Sequence, residues 1–228
     1  MQIVEIFESL QGEGKYAGAR QIFVRGAGCP VGCDYCDTDF SPRDSFTVNR
    51  AVYKNPVSAE ELVRLLTSEF RPELYHSVSF TGGEPLIYSD ELRQISPLLR
   101  ERGVRLFLET SGYRPEELPE IGSYFDYISL DIKTVFAPFE EHLRRLLHAV
   151  RSMGHPGLYL KLVLRQGETD TVPLVAAYMK SAGINELWLQ PVDNVFNLSE
   201  ISSLQNILAS HGISAYFIPQ LHKILNIR

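Results

Sequence analysis

Three cysteines lie within eight residues of this chain, at Cys29, Cys33 and Cys36, in the spacing C-x3-C-x2-C. The 228-residue sequence contains no other cysteine. Thiolates this close together can bind one inorganic centre. Three of them leave one iron of a four-iron cluster without a protein ligand, whereas an electron-transfer cluster normally has four cysteines. The spacing therefore predicts an iron–sulfur centre with one iron open to another ligand.

Two other uses of these thiols remain open at this point. A zinc ion would need a histidine beside the three cysteines, and the nearest in sequence is His76, so the fourth ligand would come from a distant segment. A non-catalytic electron carrier would need a fourth cysteine. Both alternatives describe a binding module rather than an enzyme.

The composition excludes several classes of function. Hydrophobic residues make up 44% of the chain, charged residues 22%, and the formal charge is −6. No run of Lys and Arg could track phosphates, so we expect no nucleic-acid partner. No apolar run reaches the roughly 18 residues of a membrane helix, and no leader-like segment opens the sequence. We therefore expect a cytoplasmic protein without membrane contact, in which clustered cysteines favour a metal over a disulfide.

The hydrophobic pattern alternates between strands and helices, which predicts a parallel sheet with helices outside it. The six apolar strand-like runs are 21–25, 77–80, 105–109, 127–132, 158–164 and 186–189. A strand over 1–9 precedes them, and helices are expected at 58–71, 90–101, 138–153, 171–182 and 199–211, before an edge strand at 215–219. Six parallel strands are too few for a closed eight-fold barrel. The predicted fold class is α/β, an incomplete (partial) TIM barrel of about six parallel strands with outer helices.

Polar residues follow the predicted strands, where folds of this kind carry their working residues. Taken singly, each has a plainer reading as a loop residue or a helix cap. Together at one rim they predict a ligand site. They are Arg25; Thr81, Gly82, Gly83 and Glu84; Glu109, Thr110, Ser111 and Gly112; Asp131, Ile132 and Lys133; Lys161; and Gln190, Pro191, Val192 and Asp193.

The cysteine spacing together with Gly82-Gly83-Glu84-Pro85 resembles the radical S-adenosylmethionine (SAM) superfamily. The resemblance implies that the three thiolates hold a [4Fe–4S] cluster and that the amino and carboxylate groups of SAM chelate its fourth iron. One electron then cleaves SAM to methionine and a 5′-deoxyadenosyl radical, which abstracts a substrate hydrogen. The cofactor-binding residues that it implies are Gly83, Glu84, Glu109, Ser111, Asp131, Ile132, Lys133, Gln190, Pro191, Val192 and Asp193.

Both ends of the chain narrow the resemblance. Segments 6–14 and 219–228 are similar to the 7-carboxy-7-deazaguanine synthase family. This similarity implies a carbon–nitrogen lyase that contracts 6-carboxy-5,6,7,8-tetrahydropterin to 7-carboxy-7-deazaguanine and ammonia, on the route to queuosine and archaeosine. The implied substrate-binding residues are Leu10, Gln11, Gly12, Glu13, Arg25, Thr81, His222 and Arg228. Without the resemblance, a plain turn, a surface ion pair and a frayed tail explain these residues equally well.

The same resemblance implies that the Thr38 hydroxyl ligates Mg2+, although the residue could instead cap the following segment. It also implies an external reductant of the flavodoxin or ferredoxin class and a homodimer. The chain then divides into a strand and substrate-binding turn (1–20), a partial barrel core (21–198), and a helix with a pocket-closing tail (199–228). Asp131-Ile132-Lys133 departs from the Ser-Pro-Lys that family members often carry. The nearest rival is a radical-activating enzyme that acts on a glycine of a partner protein.

Overall fold

An eight-stranded sheet forms the centre of the protein. The computed structural model describes residues 1–36, 38–165, 167, 169–192 and 196–227. The strands are β1 (Ile3–Leu10), β2 (Arg20–Gly26), β3 (Ser45–Val48), β4 (Ala51–Lys54), β5 (Ser77–Gly82), β6 (Leu106–Thr110), β7 (Tyr127–Ile132), β8 (Leu158–Leu164), β9 (Glu186–Pro191) and β10 (Ser214–Phe217). The helices are α1 (Ala59–Glu69), α2 (Ser89–Arg100), α3 (Leu118–Gly122), α4 (Phe139–Met153), α5 (Val172–Ala182), α6 (Leu198–Ser210) and α7 (Leu221–Leu225).

The strand order confirms the predicted partial barrel. The large sheet runs β1-β2-β5-β6-β7-β8-β9-β10, with β1 antiparallel to β2 and every later pair parallel. The six predicted parallel strands are β2 and β5 to β9, and the predicted edge strand is β10. The small β3–β4 hairpin, which packs beside β1, was not predicted.

The outer face of the sheet holds the main hydrophobic core. Side chains alternate along a strand, and on each parallel strand one set, such as Val78 and Phe80 on β5, packs against the helices. The helices that cover this face begin where the sequence indicated. In α1, Ser58 caps the first turn and accepts from the Glu61 backbone N–H, while the Glu61 side chain accepts from the Ser58 N–H. This capping box starts α1 within the helix that the sequence predicted over 58–71.

The inner face of the same strands is largely polar. Phe107, Tyr159 and Trp188 form a separate aromatic cluster inside the barrel. The other inward positions carry Ser79, Ser129, Lys161 and Gln190, all buried. The strands therefore alternate between apolar and polar residues, rather than being continuously apolar as a fully buried parallel sheet would be.

Two segments from opposite ends of the chain meet at the open side of the barrel, between β1 and β10. The turn after β1 reaches across to β9, where the Gly14 N–H donates to Gln190 Oε1 at 3.3 Å. The C-terminal tail packs on the same turn, because the Leu221 N–H donates to the Gly12 carbonyl oxygen at 2.8 Å. Within the described residues, no helix is both long and apolar enough to cross a membrane.

Candidate active site

A cavity of about 260 Å³ opens at the carboxyl ends of the parallel strands. Its wall brings together most of the residues that the sequence singled out. These are Leu10, Gln11, Gly12, Glu13, Arg25, Cys29, Cys33, Cys36, Thr38, Thr81, Gly83, Glu84, Glu109, Ser111, Asp131, Lys133 and His222. The cysteine loop, the strand ends, the N-terminal turn and the tail therefore face one space.

The remaining predicted site residues do not line this cavity. Ile132 points outward into the main core, so only its backbone is available to a ligand. Gln190 is buried below the turn, Pro191 ends β9, and the Val192 carbonyl oxygen accepts from Lys223 Nζ at 2.8 Å. The other two predicted residues, Asp193 and Arg228, lie outside the described residues.

The three cysteines are free thiols at the mouth of the cavity. Cys29 and Cys33 are half-buried and Cys36 is exposed. Burial is the main cause of the raised pKa of the Cys29 thiol. Among the residues that the structure describes, no three His, Cys, Asp or Glu side chains converge on a single metal ion. A four-iron cluster does not require three side chains to converge on one ion, since each of its thiolates binds a different iron atom. Three unpaired thiols on one wall fit that need.

The paired glycines pack the strand end of β5 directly against the cysteine loop. The Gly83 N–H donates to the Gly26 carbonyl oxygen and the Glu84 N–H to that of Gly28, both at 3.0 Å. A Cβ atom on Gly83 would overlap the Gly28 carbonyl oxygen. Glycine is therefore required at this position for the two backbones to approach each other, and the contact orients the cysteines toward the cavity.

Glu84 is a fully buried carboxylate held by uncharged donors. It accepts from the Ser111 N–H at 2.8 Å, from Ser111 Oγ at 2.5 Å, from the Leu86 N–H at 3.0 Å and from Thr110 Oγ1. Burial dominates these hydrogen bonds, so the pKa of Glu84 is raised. The Glu84 side chain thus ties the end of β5 to the end of β6.

Glu109 lies among the residues of the predicted substrate group. Its two carboxylate oxygens accept from Gln11 Nε2 at 2.5 Å and from Thr81 Oγ1 at 2.6 Å. The Gln11 amide in turn accepts from the Glu13 N–H at 3.1 Å. This network holds the N-terminal turn in a fixed position on the barrel.

A group of charged side chains occupies the opposite side of the cavity. Lys161 Nζ lies 2.5 Å from Glu13 Oε2 and 3.1 Å from Asp131 Oδ1, while Lys133 Nζ lies 3.0 Å from Asp131 Oδ2. Gln220 of the tail donates to the other oxygen of Glu13 at 2.8 Å. Burial alone would raise the pKa of Glu13, but the Lys161 ammonium and the Gln220 amide hold it at about 2. Glu13 is therefore ionised at neutral pH.

Arg25 stands on the facing wall. Its Nε donates to Glu5 Oε1 at 2.9 Å and its Nη1 to Thr38 Oγ1 at 3.2 Å, with the guanidinium over the ring of Phe7. Phe7 stacks on Phe23, with ring centroids 5.2 Å apart. Both rings line the cavity and give it an apolar side that sequence reasoning had missed.

The tail closes over the N-terminal turn at its most crowded point. A Cβ atom on Gly12 would overlap the imidazole of His222. The predicted contact of the tail with the cavity is therefore present in the fold, and it depends on a glycine in the turn.

Comparison with known proteins identifies the class of this fold and site. Residues 23–172 match the model of the radical SAM superfamily, and the chain belongs to it. Streptococcus suis SuiB bound to its precursor peptide SuiA shares the fold with a TM-score of 0.60 at 13% sequence identity. The likeness covers 86% of this chain, which spans about half (47%) of the SuiB chain.

The curated relatives define the family within that class. The 7-carboxy-7-deazaguanine synthase of Methanocaldococcus jannaschii is 34% identical over 210 residues, covering 83% of this chain and 82% of the relative. That of Methanothermobacter thermautotrophicus is 32% identical, with coverage of 99% and 97%. The chain belongs to the 7-carboxy-7-deazaguanine synthase family. Its cofactors are accordingly a [4Fe–4S] cluster and SAM, and the Cys29, Cys33 and Cys36 thiols are the residues that fit the cluster.

Proposed function

We propose that this protein converts 6-carboxy-5,6,7,8-tetrahydropterin to 7-carboxy-7-deazaguanine and ammonia. The observation that carries the proposal is the meeting of both chain ends in the cavity bounded by the cysteine loop. The two end segments resemble the synthase family, and they line the same cavity as the thiols. When bound, the cluster and SAM supply the one-electron chemistry that removes a hydrogen atom from the substrate.

The N-terminal turn suits the polar edge of a pterin, which presents an amide-like group, an amino group and ring nitrogens. Ionised Glu13 is a charged acceptor for the N–H groups of that edge. The Gln11 NH2 already donates to Gln21 and Glu109, so its amide oxygen is the group left to accept from the substrate. The backbone at Leu10 and Gly12 lies beside it. Thr81 and His222 approach the same space from β5 and from the tail. Arg228 is proposed, by its place in the sequence, to complete the substrate contacts from the tail.

Arg25 suits the carboxylate of the substrate. A guanidinium has five N–H donors, and Arg25 uses two of them on Glu5 and Thr38 in the contacts described above. The others can form a charge-assisted pair with the substrate carboxylate. The stacked rings of Phe7 and Phe23 flank this position with an apolar surface that excludes water. No general acid or base is assigned among these residues.

We extend the proposal to Mg2+ at Thr38. One hydroxyl is a poor site for a hard cation, so the substrate carboxylate and water would have to complete the shell. Removing the hydroxyl with Thr38→Ala should make activity less dependent on added Mg2+ and lower kcat about tenfold or more. Thr38→Ser keeps the oxygen and should retain the Mg2+ response. Equal Mg2+ titrations for wild type and Thr38→Ala would refute the assignment.

The cofactor contacts are proposed on the other strand ends. The proposed cofactor residues that line the cavity are Gly83, Glu84, Glu109, Ser111, Asp131 and Lys133. Ile132 and residues 190–192 can contribute only from outside its present wall. We also propose that an external one-electron reductant of the flavodoxin or ferredoxin class serves the enzyme. A homodimer in the cytoplasm completes the proposal, and light scattering of the loaded protein tests the dimer.

An anaerobic assay tests the function. The protein is loaded with iron and sulfide, then given reductant, SAM and 6-carboxy-5,6,7,8-tetrahydropterin, and the deazapurine is followed by absorbance and mass. The expected result is product and ammonia in equal amounts. An intact cluster that cleaves SAM without forming the deazapurine would overturn the proposed substrate. A loaded protein that does not respond to SAM would contradict the radical chemistry itself.

A further inference from the structure

Lys161 is a buried charge in the cavity wall to which the proposed function assigns no role. It lies on the inner face of β8, and only 5% of its surface is exposed. Placing an ammonium in such a position is costly unless partners compensate the charge. A leucine or methionine would fill the same space without burying an ammonium. The contacts of the Lys161 ammonium must therefore account for its burial.

The two carboxylates that bind Lys161 come from different parts of the site. Asp131 lies on the neighbouring strand β7, directly opposite Lys161 in the sheet register. Glu13 comes from the turn after β1, 148 residues away in sequence. The Nζ atom lies 3.1 Å from the first carboxylate and 2.5 Å from the second. One ammonium thus joins a barrel strand to a segment that crosses the open side of the barrel.

Each carboxylate also contacts a residue from a different half of the cavity. Asp131 also pairs with Lys133, whose ammonium lies 5.6 Å from the centre of the Tyr35 ring in the cysteine loop. Glu13 also binds Gln220, which brings in the C-terminal tail. Lys161 therefore stands between the cluster side and the side formed by the two chain ends.

We propose that Lys161 is a positioning residue that fixes Glu13 for the pterin and Asp131 for SAM, so that one ammonium sets both halves of the site. The proposal rests on the proposed function for its pterin half. Its SAM half rests on the family alone, because the superfamily uses SAM whatever the substrate is. Each half is therefore measured with its own ligand.

Removal of this charge has a consequence that a purely structural lysine would lack. Burial favours a protonated Glu13, and Lys161 is the main group that opposes it. Lys133 also holds the pKa of Glu13 down, while Asp131 and Glu109 add negative charge around the ammonium. The Tyr159 hydroxyl also lies near the ammonium, and it is uncharged because burial raises its pKa. On the tail side, His222 faces the turn at Gly12. Without Lys161, the Glu13 carboxyl should take up a proton at a much higher pH, and an acceptor for the pterin is then lost.

The test measures binding to the cluster-loaded protein without reductant, so that no turnover occurs. The probes are SAM and 6-carboxypterin, a fluorescent and unreactive form of the substrate. Dissociation constants are measured from pH 5.5 to 7.5 for wild type and Lys161→Met. Lys133→Met tests the cofactor side alone, and Lys180→Met removes an exposed lysine from α5 as a matched control. If Lys161→Met does not fold, Lys161→Gln provides the same comparison.

The expected result is that Lys161→Met weakens both ligands by about tenfold or more. Its 6-carboxypterin affinity should also fall with decreasing pH, relative to wild type at each pH. Lys161→Arg should restore the wild-type pH profile, because it restores the charge. Lys133→Met should weaken SAM more than the pterin, and Lys180→Met should match wild type.

Three results would overturn the inference. Wild-type affinities and a wild-type pH profile in Lys161→Met would show that Lys161 only fills space. Loss of one ligand alone would show that it does not couple the two halves. A wild-type protein that binds SAM but not 6-carboxypterin would refute the proposed substrate, and the pterin half of this inference with it.

Discussion

Two carboxylates at the rim of the barrel, Glu84 and Glu13, have different kinds of hydrogen-bond donor around them. Glu84 is fully buried and accepts only from uncharged donors, so burial raises its pKa. Glu13 is partly exposed and pairs with the Lys161 ammonium, which holds its pKa at about 2. Both side chains look alike in sequence, since each follows a glycine after a strand.

The difference separates framework from binding site. The four donors around Glu84 belong to the backbone and hydroxyl groups of its own fold, and they use the carboxylate to join two strand ends. Glu13 keeps its negative charge and faces the cavity between the tail and the barrel. A charge maintained at such a position can bind a ligand, whereas a carboxylate surrounded by protein donors mainly stabilises the fold.

The largest expected effect comes from breaking the framework carboxylate. Glu84→Ala leaves the donors of Leu86, Thr110 and Ser111 buried without an acceptor. We expect it to lower the free energy of unfolding by about 3 kcal/mol or more in urea titrations. Glu141→Ala, on the exposed start of α4, is the matched control and should change stability by less than about 0.5 kcal/mol. A loss below about 1 kcal/mol for Glu84→Ala would refute the framework role.

The response to pH should separate the two carboxylates next. The pKa of Glu84 is raised in the folded state, so acidification from pH 7 toward its pKa favours the native protein. The pKa of Glu13 is lowered to about 2, so its contribution is present above the unfolded value near 4.5 and is lost as pH falls toward 2. Urea unfolding of the cluster-free protein from pH 7 to 3 measures the direction in which each carboxyl changes the free energy of unfolding.

Matched amide variants identify each contribution in that experiment. Glu84→Gln should not show the rise in the free energy of unfolding at mildly acidic pH. Glu13→Gln should not show its decline below pH 4.5. Parallel pH curves for wild type and both variants would show that the two carboxylates do not differ in this way.

The sequence predicted the outer face of the barrel more fully than its inner face. Apolar periodicity placed the strands β7 and β8 at their observed bounds. Ser129 was passed over and Lys161 was assigned only to the ligand rim, although the alternation of both with apolar neighbours is the signal for a polar interior. The β3–β4 hairpin was missed because it is only four residues per strand and carries exposed side chains such as Val52.

The site was predictable where a motif names its residues, and less so where tertiary contacts decide. The cysteines, Glu13 and His222 line one cavity as expected. Glu109 was assigned to the cofactor, yet it bonds Gln11 and Thr81 of the substrate group. Ile132 was assigned with its neighbours, but alternation along β7 turns its side chain into the core. Such partners are set by the strand register and by the closing of the barrel, which no local pattern specifies.

The smallest effect should come from the second contact of Glu13. Gln220→Ala removes one hydrogen bond to the carboxylate while the Lys161 ion pair remains. We expect KM for the pterin to rise by about fivefold, with little change in kcat. This is about 1 kcal/mol, a part of the roughly 1.5–3 kcal/mol that a hydrogen bond to a charged group contributes. Gln205→Ala, which removes an amide that donates to the Ala215 carbonyl oxygen instead, is the control. An unchanged KM in Gln220→Ala would show that the tail does not contribute to substrate binding.

The affinity of the loaded protein for 6-carboxypterin, with Glu13→Gln beside Glu84→Gln, tests the central claim most directly. The account predicts that Glu13→Gln weakens binding by about 10- to 150-fold, because a charged acceptor is lost from the ligand. Glu84→Gln should stay within about threefold of wild type, provided that both variants hold a full cluster. Equal dissociation constants for wild type and Glu13→Gln would contradict the account, since the turn around Glu13 would then not bind the pterin.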